Sequence, residues 1–442
     1  MIDDRDRLAA TPAHDIALSC IEAGIEASTP KAVLREALSV EGGVLTVAGS
    51  EYDLAAYDSV VVLGGGKAAD VVARELEAHL EDYIDRGLVV STKPVETDTI
   101  ETAEGSHPIP DADSLAGARR VFQRAKGLGE GTLVLAPITG GGSALLALPA
   151  GDITLVDLQA TTEELVESGA SINEINAVRK HCSAIKGGGL ARAAAPATVV
   201  GLLFSDVVGD DPGVIASGPT APDATTYDDA LEILGRYDVA VPGVVREHLE
   251  AGAAGERAET PAGSGVLGHV DNHVLADVWT ALAAARDAAA EAGYEPLVLS
   301  SRIRGEATEA ALSGLAIAEE CAATGTPVEP PAVLLSGGET TVTVMGNGDG
   351  GPNLEFALRV AVEQPETVVC ASVDTDGADG GTEVAGAIVD GETLSNPQRG
   401  RAALLENDAL PALEESDAVI ETGPTGTNVN DLRVFVIDEP ES

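Results

Sequence analysis

The sequence predicts an α/β protein of two α/β/α domains, the first around a doubly wound, mostly parallel sheet and the second around a mixed sheet. Three observations carry this. Aliphatic runs of strand length recur along the chain, each ends in a loop of glycine and small polar residues, and helical periodicity follows each loop. A strand covered on both faces reads as a continuous Val/Leu/Ile run, as these do. The length, 442 residues, suits two domains. The expected division is 1–265, with a leading helical segment, and 266–442.

Taken in order, residues 3–38 have helical spacing, with Ile16, Cys20 and Ile21 on one face and a break at Ser28-Thr29-Pro30. Gly43–Val47 reads as a short hairpin. The run 59–63 is a buried strand that ends in Gly64-Gly65-Gly66-Lys67, and a helix follows over 68–80. Further strands are expected at 87–91, 132–137 (ending in Ile138-Thr139-Gly140-Gly141-Gly142-Ser143) and 197–204 (ending in Ser205-Asp206). Helices are expected at 155–168, 174–183 and 228–234. Residues 251–264, rich in Ala, Gly, Glu and Pro, read as a surface excursion near the boundary. Beyond it, helices are expected at 277–292, 308–323 and 353–363. Strands are expected at 295–300, 332–336, 340–345, 367–373, 385–390 and 434–437, and the last five residues are expected to fray.

Hydrophobic residues make up 44% of the chain and aromatic ones only 2%, so its cores are built from small aliphatics. The formal net charge is −47, from 73 acidic and 26 basic residues. Nucleic-acid binders carry the opposite sign. Disorder is excluded because the acids are scattered through apolar, periodic sequence. The pattern is that of a solvated acidic surface in a salt-rich cytosol. The four cysteines lack metal-ligand spacing and read as buried thiols. The acidic N-terminus has no signal-peptide core, and no apolar run is long enough to span a membrane. A cytoplasmic monomer or homodimer is expected, acting on a small molecule.

Chemistry concentrates in loops at strand ends, where open α/β sheets bind ligands. Gly64, Gly65 and Gly66 leave the backbone free to nest around a phosphate, and Lys67 adds charge; the spacing is not that of a Walker A loop. Gly140, Gly141, Gly142 and Ser143 repeat the device, although Ser143 also suits a helix cap. Asn176, Arg179 and Lys180 share one helix face, which suits an anion or, equally, a salt-bridged surface. Asp206, Asp210 and Asp211 follow a strand, where carboxylates hold Mg2+ or accept a proton. His107 is a substrate donor or simply a loop residue. Three polar loops in the second half contain Glu339, Asp374-Thr375-Asp376-Gly377, and Asn428 with Asn430.

Together these motifs resemble the type-2 glycerate kinases, whose C-terminal part (about 330–437 here) is called the MOFRL domain. The resemblance rests on Gly64–Ala68, Ser106-His107-Pro108, Thr139–Leu146, Asn176–His181, Ser205–Pro212, Ala216–Thr220, Ser336–Thr340 and Gly423–Asp431, which occur in family order. It implies two α/β domains with the active site in the cleft between them, and transfer of the γ-phosphate of ATP to the 2-hydroxyl of D-glycerate with a divalent metal. On that resemblance Lys67, Arg179 and Asp206 are the catalytic residues. The expected cofactor contacts are Gly64, Gly65, Gly66, Gly140, Gly141, Gly142, Ser143, Lys180, Asn176, Glu339, Asn353, Asn428 and Asn430. Asp206 and Asp211 are the candidate Mg2+ ligands, and whether Asp206 is ligand or base stays open. One departure stands out: the family's Gly-Gly-Arg-Asn-Gln-Glu is Gly350-Gly351-Pro352-Asn353-Leu354-Glu355 here, so a cation is missing at Pro352. Two rivals remain, an NAD(P)H-dependent hydroxypyruvate reductase and a non-catalytic binder of sugar acids or nucleotides.

The charge makes a prediction of its own. Salt shortens the screening length from ~10 Å at 0.1 M to ~3 Å at 1 M and strengthens aliphatic burial. The melting temperature should therefore rise along a KCl series, with activity falling as salt is diluted toward ~0.1 M. A melting temperature that is flat or falls with added salt contradicts the halophilic reading.

Overall fold

The computed structural model describes residues 1–263 and 265–438. The expectations for Ser264 and for the last four residues lie outside the described residues. Two compact units are present: one comprises Met1–Ala32, Asp206–Gly209 and Ala276–Ser442, the other Val33–Ser205 and Asp210–Leu275. The boundary thus falls ten residues later than expected. In addition, the leading helix belongs with the C-terminal half, and this has a physical cause. Helix Pro12–Ala27 buries Leu18, Ile21 and Ile25, each contributing about 1.5–3 kcal/mol. A Cβ at its Gly24 would lie 2.5 Å from Leu432 and 3.0 Å from the Ala281 carbonyl. Thr427 Oγ1 donates to the Ser28 carbonyl just past its end, at 2.6 Å.

The second unit begins with a three-stranded antiparallel meander, β1 (Leu38–Glu41), β2 (Val44–Val47) and β3 (Ser50–Asp53). Its main sheet contains β4 (Ser59–Gly65), β5 (Arg86–Ser91), β6 (Ile100–Glu104), β7 (Thr132–Ile138), β8 (Thr198–Phe204) and β9 (Val270–Ala276), in the order β6-β5-β4-β7-β8-β9. The pairs among the first five are all parallel. Strand order runs outward one way from β4 and the other way from β7, so the topological switch point lies between their carboxyl ends. Right-handed crossovers on the two sides of that point place helices on opposite faces, which is what doubly wound means. β4 and β7 are buried nearly end to end, as their aliphatic runs require.

The first unit has a mixed sheet: β10 (Glu295–Glu306), β11 (Ala332–Thr341), β12 (Val368–Asp374), β13 (Gly386–Val389), β14 (Val419–Ile420) and β15 (Asp431–Ile437), in the order β10-β11-β15-β12-β13-β14. Only β10–β11 is parallel among the described pairs. The two strands expected at 332–336 and 340–345 are one strand ending at Thr341. Its register with β10 continues through Glu339, so the pairing overrides the Gly337-Gly338 break. At Gly338, φ is +139° and a Cβ would lie 2.2 Å from the Ile303 carbonyl, so glycine there is a requirement of strand approach.

Helix Pro352–Glu363 starts with proline at its first position, and its N-cap residue Gly351 offers no side chain. Asp379 supplies the cap from another segment, accepting from the amides of Asn353 (3.0 Å) and Leu354 (2.8 Å). Burial nevertheless pushes its carboxyl up to about 6, against those hydrogen bonds. A raised pKa means the folded state holds the proton more tightly. The stabilisation is complete below the unfolded value near 4 and is lost as pH rises through about 6. In molar KCl, the stability of the protein relative to an Asp379→Asn variant should therefore fall between about pH 4 and pH 7, by up to ~3 kcal/mol. Denaturant melts at several pH values check this; a pH-independent difference refutes it.

Candidate active site

At the switch point the turns after β4 and β7 interlock. A Cβ on Gly64 would lie 1.9 Å from the Pro137 carbonyl oxygen, and one on Gly66, at φ +148°, 2.1 Å from Thr139 Oγ1. The Lys67 amide donates to the Gly140 carbonyl (2.7 Å), the Thr139 amide to the Gly65 carbonyl (3.3 Å), and the Gly66 amide to the Val90 carbonyl (3.0 Å). The Ala68 amide donates to Thr139 Oγ1 (3.1 Å). The first turn's amides are thus occupied by protein, which corrects the expectation of a phosphate nest at Gly64–Gly66: these glycines permit close packing of two turns. The amide hydrogens of Gly140 and Gly141 have no protein acceptor among the described residues. They sit at the start of the short helix Gly142–Leu145. A Cβ on Gly141 would lie 2.7 Å from Lys67 Cγ and 3.0 Å from His107 Cδ2. Lys67, His107 and the second glycine turn therefore converge, and His107 joins the site.

Lys67 is held by its backbone. Ser91 Oγ donates to its carbonyl (3.0 Å) and to Asp70 Oδ1 (2.8 Å), while Asp70 Oδ2 takes the Val95 amide (3.2 Å). Asp70 is buried in the first turn of helix Ala69–Leu80, where the dipole favours a carboxylate.

Helix Ile172–His181 starts with a capping box between Ser171 and Glu174, and it carries three of the expected residues. Asn176 Oδ1 accepts from Ser217 Oγ (3.1 Å), which in turn bonds Ser143 Oγ (2.7 Å). Ser143 is thereby tied to Asn176 through a residue that sequence reasoning gave no role. Lys180 does not face a ligand. Its ammonium is buried against Asp223 (3.2 Å), which also accepts from Thr225 and Thr260. Lys180 thus fits neither expectation as stated: it is ion-paired, but in the interior with Asp223 and not on a salt-bridged surface. Arg179 differs: it is half-buried, has no ion pair or hydrogen bond among the described residues, and its pKa is drawn down by loss of water. Lys186, 2% exposed, is pulled well below the ordinary lysine value by burial and by Arg179. Arg179 and Lys186 are thus neighbouring desolvated cations, and the Lys186 ammonium already donates to the carbonyls of Ser143 and Leu146.

The first unit holds the remaining candidates. Glu339 ends its side chain at the surface, yet the surrounding protein, then Asp206 and Asp431, raise its pKa. Asp374 is raised well above the ordinary value by burial, then by Asp376 and Asp431. Asn428 Nδ2 donates to Asp376 Oδ2 (3.0 Å), and Asn428 Oδ1 accepts the Asn430 amide (3.0 Å). Asn353 is completely buried and fully engaged: Nδ2 donates to Asp379 (3.1 Å) and Asp431 (2.7 Å), and Oδ1 accepts from Ser372 (2.6 Å). It organises the core and has no group left for a cofactor. Asp211 is exposed and caps its own turn through the Gly213 amide (2.8 Å). Among the described residues no three His, Cys, Asp or Glu side chains form a preassembled metal cage.

A parallel sheet with glycine turns and cations at its switch point, followed in the chain by a mixed-sheet unit, defines a class with known members. Residues 16–250 match the family described as "Domain of unknown function (DUF4147)", and residues 332–431 match the MOFRL family. A glycerate 2-kinase from Pyrococcus horikoshii is 39% identical over 96% of this chain and 97% of its own. A protein from Agrobacterium vitis bearing the provisional name hydroxypyruvate reductase is 43% identical over 85% of this chain and 87% of its own. The crystal structure of a glycerate kinase from Thermotoga maritima superposes with a TM-score of 0.83 at 36% identity, covering 96% of this chain and 98% of that one. The chain belongs to the glycerate 2-kinase family.

Proposed function

We propose that this protein transfers the γ-phosphoryl group of ATP to the 2-hydroxyl of D-glycerate, giving 2-phosphoglycerate and ADP. The observation that carries the reading is the convergence of Lys67, His107 and the open Gly140 and Gly141 amides at the switch point, in a chain of this family. Phosphoryl transfer asks for alignment and charge neutralisation more than covalent chemistry. Lys67 contacts the transferring group, and the Gly140 and Gly141 amides hold a nucleotide phosphate. Arg179, short of water and of acid partners, takes the glycerate carboxylate.

Asp206 and Glu339 are the carboxylates that suit Mg2+. They lie near enough for Asp206 to raise Glu339, and Mg2+ bound with a nucleotide needs only one or two carboxylates besides the phosphates. When bound, the metal neutralises phosphate oxygens. Asp206 otherwise serves as the acceptor of the 2-hydroxyl proton. No helix among the described residues is long and apolar enough to cross a membrane, and a salt-rich cytoplasm completes the reading.

The reductase name of one relative is set apart by cofactor. The first βα turn here packs its amides against a neighbouring turn, where a dinucleotide fold would need them for the pyrophosphate.

In molar KCl with ATP, Mg2+ and D-glycerate, enolase alone should convert the product to phosphoenolpyruvate, and Lys67→Ala should lower turnover ~10²-fold or more while remaining folded. No enolase signal while glycerate is consumed, turnover that requires NAD(P)H, or near-normal turnover in the folded variant contradicts the assignment.

A further inference from the structure

The turn that offers the open amides is held from behind by one side chain. Lys186 Nζ donates to the carbonyls of Ser143 (2.6 Å) and Leu146 (3.3 Å). These carbonyls belong to the short helix Gly142–Leu145 and the residue that ends it, where backbone acceptors lack intrahelical partners. Lys186 is itself fixed. Its amide donates to Ser183 Oγ (3.3 Å), and the next two amides bond the carbonyls of Ser217 and Gly218 at 3.0 and 2.7 Å. No carboxylate pairs with its ammonium among the described residues. Burying an ammonium with only neutral partners is costly, and a methionine would fill the same space without that penalty. The chain has six lysines in all, and it places one here beside Arg179, which further disfavours the charge.

We propose that Lys186 is a positioning residue: it clamps the Ser143 and Leu146 carbonyls so that the Gly140 and Gly141 amides and the Ser143 hydroxyl hold the geometry phosphoryl transfer needs, without itself touching substrate. The proposal rests on the kinase reading above. The chain of contacts is continuous. Lys186 fixes the Ser143 backbone, Ser143 Oγ bonds Ser217 Oγ, and Ser217 bonds Asn176 on the helix that presents Arg179. A small displacement of the turn moves the phosphate donors directly and reaches Arg179 only at the far end of the Ser143–Ser217–Asn176 contacts, so the effect falls on kcat more than on the KM for the acid.

The test compares Lys186→Met, which fills the space without a donor, with Lys186→Gln, too short to reach both carbonyls, and with Lys186→Arg. Circular dichroism in molar KCl establishes folding. Met and Gln variants should each lose ~10²-fold in kcat with the glycerate KM within about threefold of the parent, and Arg should recover part of the loss. Amide hydrogen exchange of peptides covering 139–146 should rise in the ligand-free Met and Gln variants, a readout that needs no turnover. Faster exchange with an inactive parent would sink the kinase reading alone. An active parent with folded variants of parental kcat or parental exchange would overturn the positioning role alone. Failure of both Met and Gln variants to fold would also overturn it, by making Lys186 a support of the whole unit.

Discussion

The carbonyl oxygen of Pro137 occupies the place where a Cβ of Gly64 would stand, 1.9 Å away, and much of the second unit follows from that contact. Two βα turns from the central strands β4 and β7 come closer than any side chain allows. The approach lets the amides of Gly66, Lys67 and Ala68 find acceptors in the protein, so the turn can be buried without orphaned donors. It also brings the Lys67 stem against Gly141 and His107. The same glycines that suggest a phosphate nest in the sequence allow two turns to pack closely, and the amides without a protein acceptor among the described residues, those of Gly140 and Gly141, belong to the neighbouring turn.

Charge is the second constraint. A surface of net charge −47 repels anionic substrates at long range. Salt screens that field, but a local cation must still be kept from pairing with one of many surface acids. Burial does this. Arg179 and Lys186 lie out of reach of carboxylates among the described residues; burial lowers the proton affinity of both, and Arg179 lowers that of Lys186 further. Lys180, one residue from Arg179, is neutralised by Asp223. Adjacent cations on one helix thus differ in the interior: Lys180 is paired with Asp223, and Arg179 has no ion pair among the described residues.

The parallel sheet was legible because strands covered on both faces must be continuous aliphatic runs, and 59–63, 132–137 and 197–204 are such runs. The edge strand Ile100–Glu104 was not, because it alternates polar residues; of the separate short meander Leu38–Asp53, only Gly43–Val47 read as a hairpin. The leading helix gave no sign of its partner, because helical periodicity shows that a face is apolar and not which sheet covers it. At the site, residue types drew notice to Lys67 and the second glycine turn, which the fold brings together. Asn353, Lys180 and the first glycine turn were misassigned for one reason: hydrogen-bond partners such as Asp379, Asp223 and Thr139 are tertiary, and sequence spacing does not reveal them. Ser217 stood inside the motif Ala216–Thr220, and only its contacts, like those of Lys186, separate it from its neighbours.

The account divides the two glycine turns into one that is packed and one that binds, and residue-resolved amide exchange with and without ATP tests that division directly. Without nucleotide, the amides of Gly66, Lys67 and Ala68 should already be protected, while those of Gly140 and Gly141 exchange freely and slow only when ATP is added. Free exchange at 66–68 that slows on adding ATP, with Gly140 and Gly141 indifferent to it, would contradict the account.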